Sequence, residues 1–187
     1  MSDGRDEKDG PAPPRRRKPR RPRGTAPLRR SLLHVDARGR ARMVDVGGKA
    51  ATRREAVARG IVEMSVSAFD ALESGRLAKG DALAVARLAG IQGAKRTSEI
   101  VPLCHPLALE SVDVDVTLDR AGRRAIVTAT ARITGKTGVE MEALTAVAAA
   151  GLALYDMIKA LDRGAAIREI VLVEKSGGRS GNYRKGF

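Results

Sequence analysis

Residues 110–161 read ESVDVDVTLDRAGRRAIVTATARITGKTGVEMEALTAVAAAGLALYDMIKAL, and the change of period inside them decides the fold class. Polar and apolar residues alternate from Glu110 to Leu118 and again from Arg124 to Ile133. That is the two-residue period of strands with one face in a core and one in water. DRAG separates the two runs, so they form an antiparallel hairpin. The pattern then turns helical. Thr137, followed three residues later by Glu140, has the form of a capping box and starts a helix that runs through Ala143 to Leu161. Ala, Leu and Val lie on all its sides and Gly151 lies inside it, which predicts a helix covered all round and approached closely by other backbone, such as another subunit.

Upstream of this stretch, RGIVEMS at residues 59–65 reads as a strand, and Ser67 opens a short helix that Gly75 stops. Asp81 caps a helix to about Ala94, with Leu83, Ala84, Leu88 and Ile91 at helical spacing. Pro102 and Pro106 bracket Leu103, Cys104 and His105 in a turn. Beyond the Ala-rich helix, IREIVLV at residues 167–173 supplies a last strand, and KSGGRSG forms a glycine-rich loop. The order is strand, two helices, strand, strand, helix, strand. It predicts an α+β fold of ferredoxin-like, split βαβ type: an antiparallel sheet with helices packed on one face.

Composition divides the chain before residue 31. Residues 1–30 hold 11 Lys and Arg against 4 Asp and Glu, and six of the eight prolines. They are expected to be a disordered basic tail, and residues 31–187 one folded domain whose last few residues are flexible. Residues 31–56 read as an extended arm with turns at Gly39, Gly47 and Gly48. The net charge of +13 favours an anionic partner. With no Trp, two Phe and two Tyr, there is no aromatic platform for single-stranded bases. A nucleic-acid partner is therefore expected only through the tail. The lone Cys104 excludes an internal disulfide, and with His34 and His105 the only histidines, a protein metal cage is not expected. No cofactor is expected either. The one apolar run of bilayer length is broken by Gly151 and ends in charges, and the Arg block at 15–23 leads into no signal-peptide region. These readings predict a soluble, cytoplasmic protein.

Several residues remain to be explained. Asp156 and Lys159, three apart, share a helical face, and Tyr155 precedes Lys159 by one turn. A structural ion pair is the plainest account of them alone. Lys79 stands on the loop before the Asp81 helix, beside N–H groups that attract anions, whereas Lys95 and Arg96 at its far end satisfy the helix dipole. Gly135-Lys136-Thr137 resembles the end of a phosphate-binding P-loop, but Thr130 stands where such a loop needs glycine. Lys79, His105, Glu142, Asp156, Lys159 and Lys175 together suit acid/base chemistry on a phosphorylated small molecule.

Four ordered strings carry a more specific signal: MVDVGGKAATRREA, AKGDALAVARLAGIQGAKRTSEIVPLCHPL, TGKTGVEMEALTAVAAAGLALYDMIKAL and EKSGGRSG. Together they resemble the cyclic pyranopterin monophosphate synthase (MoaC) family of molybdenum cofactor biosynthesis, over about residues 32–181. The resemblance implies a ferredoxin-like subunit in a homohexamer, a trimer of dimers, with active sites at subunit interfaces. It implies conversion of a purine-derived triphosphate, 3′,8-cyclo-7,8-dihydroguanosine 5′-triphosphate, to cyclic pyranopterin monophosphate and pyrophosphate. Position by position, Asp156 matches the family's catalytic aspartate, and Lys159 and Lys79 the lysines acting with it. Leu103, Cys104, His105, Met141 and Glu142 match substrate-contacting positions, and Glu140 and Lys175 further active-site residues. Asp45, Arg54, Lys95 and Arg96 are looser matches. Two rival readings use the same features: a nucleic-acid-binding module working through the tail, and a regulatory domain that senses a nucleotide without turning it over.

Overall fold

A computed structural model of the chain describes residues 38–186. The basic tail, His34 and the first part of the arm lie outside the described residues. Five strands, β1 (Thr52–Glu63), β2 (Ser111–Asp119), β3 (Arg124–Gly135), β4 (Ala166–Ser176) and β5 (Tyr183–Arg184), form one sheet in the order β2-β3-β1-β4-β5. Every neighbouring pair is antiparallel. The helices are α1 (Val66–Glu73), α2 (Ala82–Lys95), α3 (Thr97–Ile100) and α4 (Glu140–Ile158). This is the expected α+β, ferredoxin-like arrangement, with β5 added outside β4.

The core is made of small residues. β1 and β3 turn Ala56, Ala58, Ala125, Val127, Ala129 and Ala131 inward, and α4 answers with Ala143, Ala146, Val147, Ala150 and Leu154, all buried. Alanine faces let the layers approach closely. A Cβ on Gly60 of β1 would come 2.5 Å from a Val147 methyl, and one on Gly93 of α2 would come 2.6 Å from Cβ of Ala149. Gly60 thus leaves its space to the Val147 side chain, and Gly93 stands where the backbones of α2 and α4 meet, neither with room for a side chain.

Several boundaries differ from the sequence reading. β1 begins at Thr52, not Arg59, because its inner face is alanine and gives no size contrast with its outer one. Ser65, not Ser67, caps α1: its Oγ accepts from the Ala68 amide at 3.4 Å. Gly75 does follow the helix in a left-handed conformation, φ +67°. Asp81 caps α2 as expected, through the Ala84 amide at 2.9 Å. The buried stripe of α2, however, is Ala82, Ala86, Gly90, Gly93 and Ala94, and Leu88 is 68% exposed.

The capping box does not form. α4 starts at Glu140, its N-cap Val139 supplies no side-chain hydrogen bond, and the Glu140 carboxylate instead lies over Gly138 and pairs with Lys175. The helix ends at Ile158, with Lys159 as its C-cap. It is not covered all round within one chain either, since Leu152 is 62% exposed. By length and composition α4 could cross a membrane, but its buried face packs on the sheet and on α2 as a core helix does.

Candidate active site

α4 carries chemistry at both ends. At its C-terminal end the Asp156 carboxylate is held between two ammonium groups: Lys79 Nζ donates to Oδ2 at 2.6 Å and Lys159 Nζ reaches Oδ1 at 2.7 Å. Lys79 also donates to the Asp156 carbonyl at 2.9 Å. The hydrogen bond from Lys159, then that from Lys79, lowers the Asp156 pKa to about 2, and the same carboxylate raises that of Lys159. In this state the cluster is one ionised acid and two ammoniums, a net cation. Asp156 is 53% exposed, so within a single chain the cluster is open to water.

The spacing is what brings these groups together. Asp156 and Lys159 share a face one turn apart, and Asp162 fixes the chain beyond them. Its Oδ2 accepts from the Ser65 amide at 2.7 Å and its Oδ1 from the Gly164 amide at 2.8 Å, tying the end of α4 to the start of α1.

At the other end, the first turn of α4 and the turn after α3 enclose a cleft of about 260 Å³ whose walls include Leu103, Cys104, His105, Glu140, Met141 and Glu142. Glu142 is 3% exposed, and among the described residues its Oε2 has no hydrogen-bond partner. Burial, with a smaller contribution from Glu140, pushes its pKa up to about 6. Burial, then the charge of Glu142, also raises the Cys104 thiol, which disfavours a thiolate nucleophile there. His105 Nε2 lies 2.8 Å from the Val44 carbonyl. A carbonyl can only accept, so Nε2 carries the hydrogen and Nδ1 is left as the ring's other nitrogen.

A cationic groove continues from this cleft. Val44, Lys49, Thr137, Gly138 and Glu140 line both, and the groove adds Asp45, Arg54, Lys136, Arg179 and Ser180. Lys175 stands behind two of its lining residues, 3.2 Å from Glu140 Oε1 and 2.6 Å from Ser180 Oγ. Arg54 is fixed by a 2.9 Å hydrogen bond from Nε to the Gly135 carbonyl, and its guanidinium fills the space where a Cβ of Gly178 would stand. Gly177 and Gly178 both have positive φ, so the glycines of KSGGRSG let the loop fold over β1.

The sequence-predicted residues thus fall into two groups. Lys79, Asp156 and Lys159 form one; Leu103, Cys104, His105, Glu140, Met141, Glu142 and Lys175 form the other, with Asp45 and Arg54 beside it. Lys95 and Arg96 join neither and stand exposed at the end of α2. At 1.5 Å rise per residue, Glu140 and Asp156 are about 24 Å apart along α4. Lys49 and Lys136 belong to the groove although the sequence reading assigned neither to the site. Lys136 had gone with the failed P-loop comparison, and Lys49 lay in an arm without periodicity. Among the described residues no group of three or more His, Cys, Asp and Glu could hold a metal ion.

Residues 43–178 match the MoaC family. The chain is 57% identical over 152 residues to a cyclic pyranopterin monophosphate synthase of Heliobacterium modesticaldum, covering 81% of this chain and 96% of that protein. It is 56% identical over 153 residues to the protein of that name from Novosphingobium aromaticivorans, covering 82% and 96%. A third of that name, from Roseiflexus castenholzii, is 58% identical over 150 residues, covering 80% and 95%.

Proposed function

The chain belongs to the MoaC family, a lyase family of molybdenum cofactor biosynthesis, and from that membership we propose its reaction. It converts 3′,8-cyclo-7,8-dihydroguanosine 5′-triphosphate to cyclic pyranopterin monophosphate with release of pyrophosphate, by acid/base catalysis, as a soluble cytoplasmic enzyme. The observation that carries the chemistry is the Asp156 carboxylate bracketed by Lys79 and Lys159.

Closing a cyclic phosphate requires a hydroxyl oxygen to attack the α-phosphorus while the bond to the β-phosphate breaks and pyrophosphate leaves with the electron pair. The attacking hydroxyl must lose its proton. Asp156, ionised, accepts it; Lys79 and Lys159, protonated, stabilise the charge that builds on the departing oxygens. Held open to water, Asp156 is a weak base. Substrate phosphates that draw Lys79 and Lys159 away from Asp156 remove the hydrogen bonds that hold its pKa down and free the carboxylate to accept the proton. At the other end Leu103–His105, Met141 and Glu142 hold the purine-derived rings, and Lys175, Arg54 and Asp45 shape the adjoining groove.

The separation of the two groups along α4 supports shared sites. One pocket can contain both only if one copy supplies the Asp156 end and another the Glu142 end, as in a homohexamer built as a trimer of dimers. Exposed Leu88, Ile100 and Leu152 give such an assembly apolar surface to cover.

The test is turnover of the purified triphosphate by wild type, Asp156→Asn, Glu142→Gln and a remixed assembly of the two variants. General acid/base catalysis predicts a loss of about 10²- to 10⁴-fold in Asp156→Asn. Random pairing at a two-fold interface predicts that the mixture recovers to about a quarter of wild-type activity, because some sites receive both intact ends. Wild-type turnover in a fully assembled Asp156→Asn would end the catalytic assignment. Mixed assemblies that stay inactive would end the shared-site arrangement.

A further inference from the structure

Residues 44–49 form one wall of both the cleft and the cationic groove, through Val44, Asp45, Val46 and Lys49. Burial does little to keep them there: Val44 and Val46 are half-buried and the other four are exposed. The segment is folded on itself, with the Gly47 amide donating to Asp45 Oδ1 at 2.7 Å and the Lys49 amide to the Val46 carbonyl at 3.1 Å. Those bonds shape the turn without attaching it to anything.

The attachment comes from the facing wall. Among the described residues, two side chains grip the segment's carbonyls: His105 Nε2 at Val44, 2.8 Å, and Lys136 Nζ at Gly47, 2.7 Å. Lys136 stands on the loop between β3 and α4, beside Thr137 and Gly138, which line both hollows. Resting on the reading of those hollows as substrate surfaces, we infer that Lys136 is a positioning residue: with His105 it clamps residues 44–49 across the site and so aims Asp45 and Lys49 at the substrate.

An ammonium suits this role. A carbonyl in a two-glycine turn is bound by its lone pairs alone, and a charged donor makes the stronger bond to it. Lys49, which lines the cleft, the groove and a third hollow with Arg179, is the cation whose position depends most on the clamp.

The test compares full-length wild type, Lys136→Met and Lys136→Arg by amide hydrogen exchange without ligand, and then by kinetics with the proposed substrate. Loss of one charge-assisted bond predicts exchange at residues 46–49 about tenfold faster in Lys136→Met, with Lys136→Arg close to wild type. Loss of positioning alone predicts KM raised about tenfold with kcat within about twofold, again restored by arginine. Unchanged exchange in Lys136→Met overturns the clamp even if KM rises, since Lys136 would then touch the substrate itself. A released segment with unchanged KM overturns it as well. The exchange comparison needs no substrate, so a wild type without turnover would refute the proposed reaction while the clamp is still decided.

Discussion

Glu142 is a carboxyl that folding takes out of water while leaving its Oε2 without a partner among the described residues. Its ordinary value is 4.5, and in the fold it titrates at about 6. Between those values the folded chain keeps a proton that the unfolded chain has released, so stability falls as pH rises. Below pH 4.5 the penalty is absent, and above about 6 it is complete. At 1.36 kcal/mol per unit it amounts to about 2 kcal/mol. Glu142→Gln, which cannot ionise, is therefore expected to be about 2 kcal/mol more stable relative to wild type at neutral pH than at pH about 4. Urea unfolding at both values checks this, and a difference that ignores pH would contradict it. As for legibility, the residues that carry unusual charge in apolar surroundings, Asp156 and Lys159, could be picked out from spacing. Lys79 stood out as a cation at a helix N-terminus. Glu140 was explained as a cap it does not form, and Lys136 was lost because its partner, the Gly47 carbonyl, is backbone 89 residues away and leaves no mark in composition.

Among the elements, the contact between α2 and α4 is the one that sequence periodicity reads worst. Large apolar residues usually mark a helix's inner face, yet in α2 the buried stripe is alanine and glycine, while Leu88 and Val85 point outward. The same blindness hid the first half of β1, whose inward residues are Ala56 and Ala58. The alternating hairpin was legible because Val and Leu on one face contrast with Asp, Thr and Arg on the other. Space decides the energetics of the α2–α4 contact. Gly93→Val adds branches where even a Cβ would meet Ala149 and come 3.1 Å from the Thr145 carbonyl. Overpacking of this kind costs about 1–3 kcal/mol, more than any gain in helix propensity from removing a glycine returns. The exposed neighbour Gln92→Ala is expected to change stability by less than about 0.5 kcal/mol. Equal unfolding midpoints for the two variants would show that the helices can part without cost.

For the molecule as a whole, the order of β1–β4, α1, α2 and α4 followed from the sequence because turn and cap residues punctuate it, whereas the single turn of α3 and the two-residue β5 are too short to leave a period. That charged residues stand at both ends of the long helix was legible too, because Glu140 and Asp156 are sixteen residues apart in one helical stretch. What the linear pattern could not give is which residues outside the helix meet each end, such as Lys175 at Glu140. Leu152, exposed at 62% midway along that helix, is where assembly can be tested. Leu152→Glu is expected to shift the protein to smaller species in light scattering at micromolar concentration and to lower turnover with it, because an uncompensated charge in an apolar contact is costly to desolvate. An undisturbed assembly would place the contact elsewhere. The glycine seam has a consequence on a longer timescale. At positions 60 and 93 any side chain would crowd Val147 or Ala149, so replacements there lose stability, and the chain can change at little cost only at exposed positions outside the proposed site and assembly contacts, such as Gln92. Divergence among descendants of this sequence is expected first at such exposed positions, with the glycines that face α4 from β1 and α2 changing last.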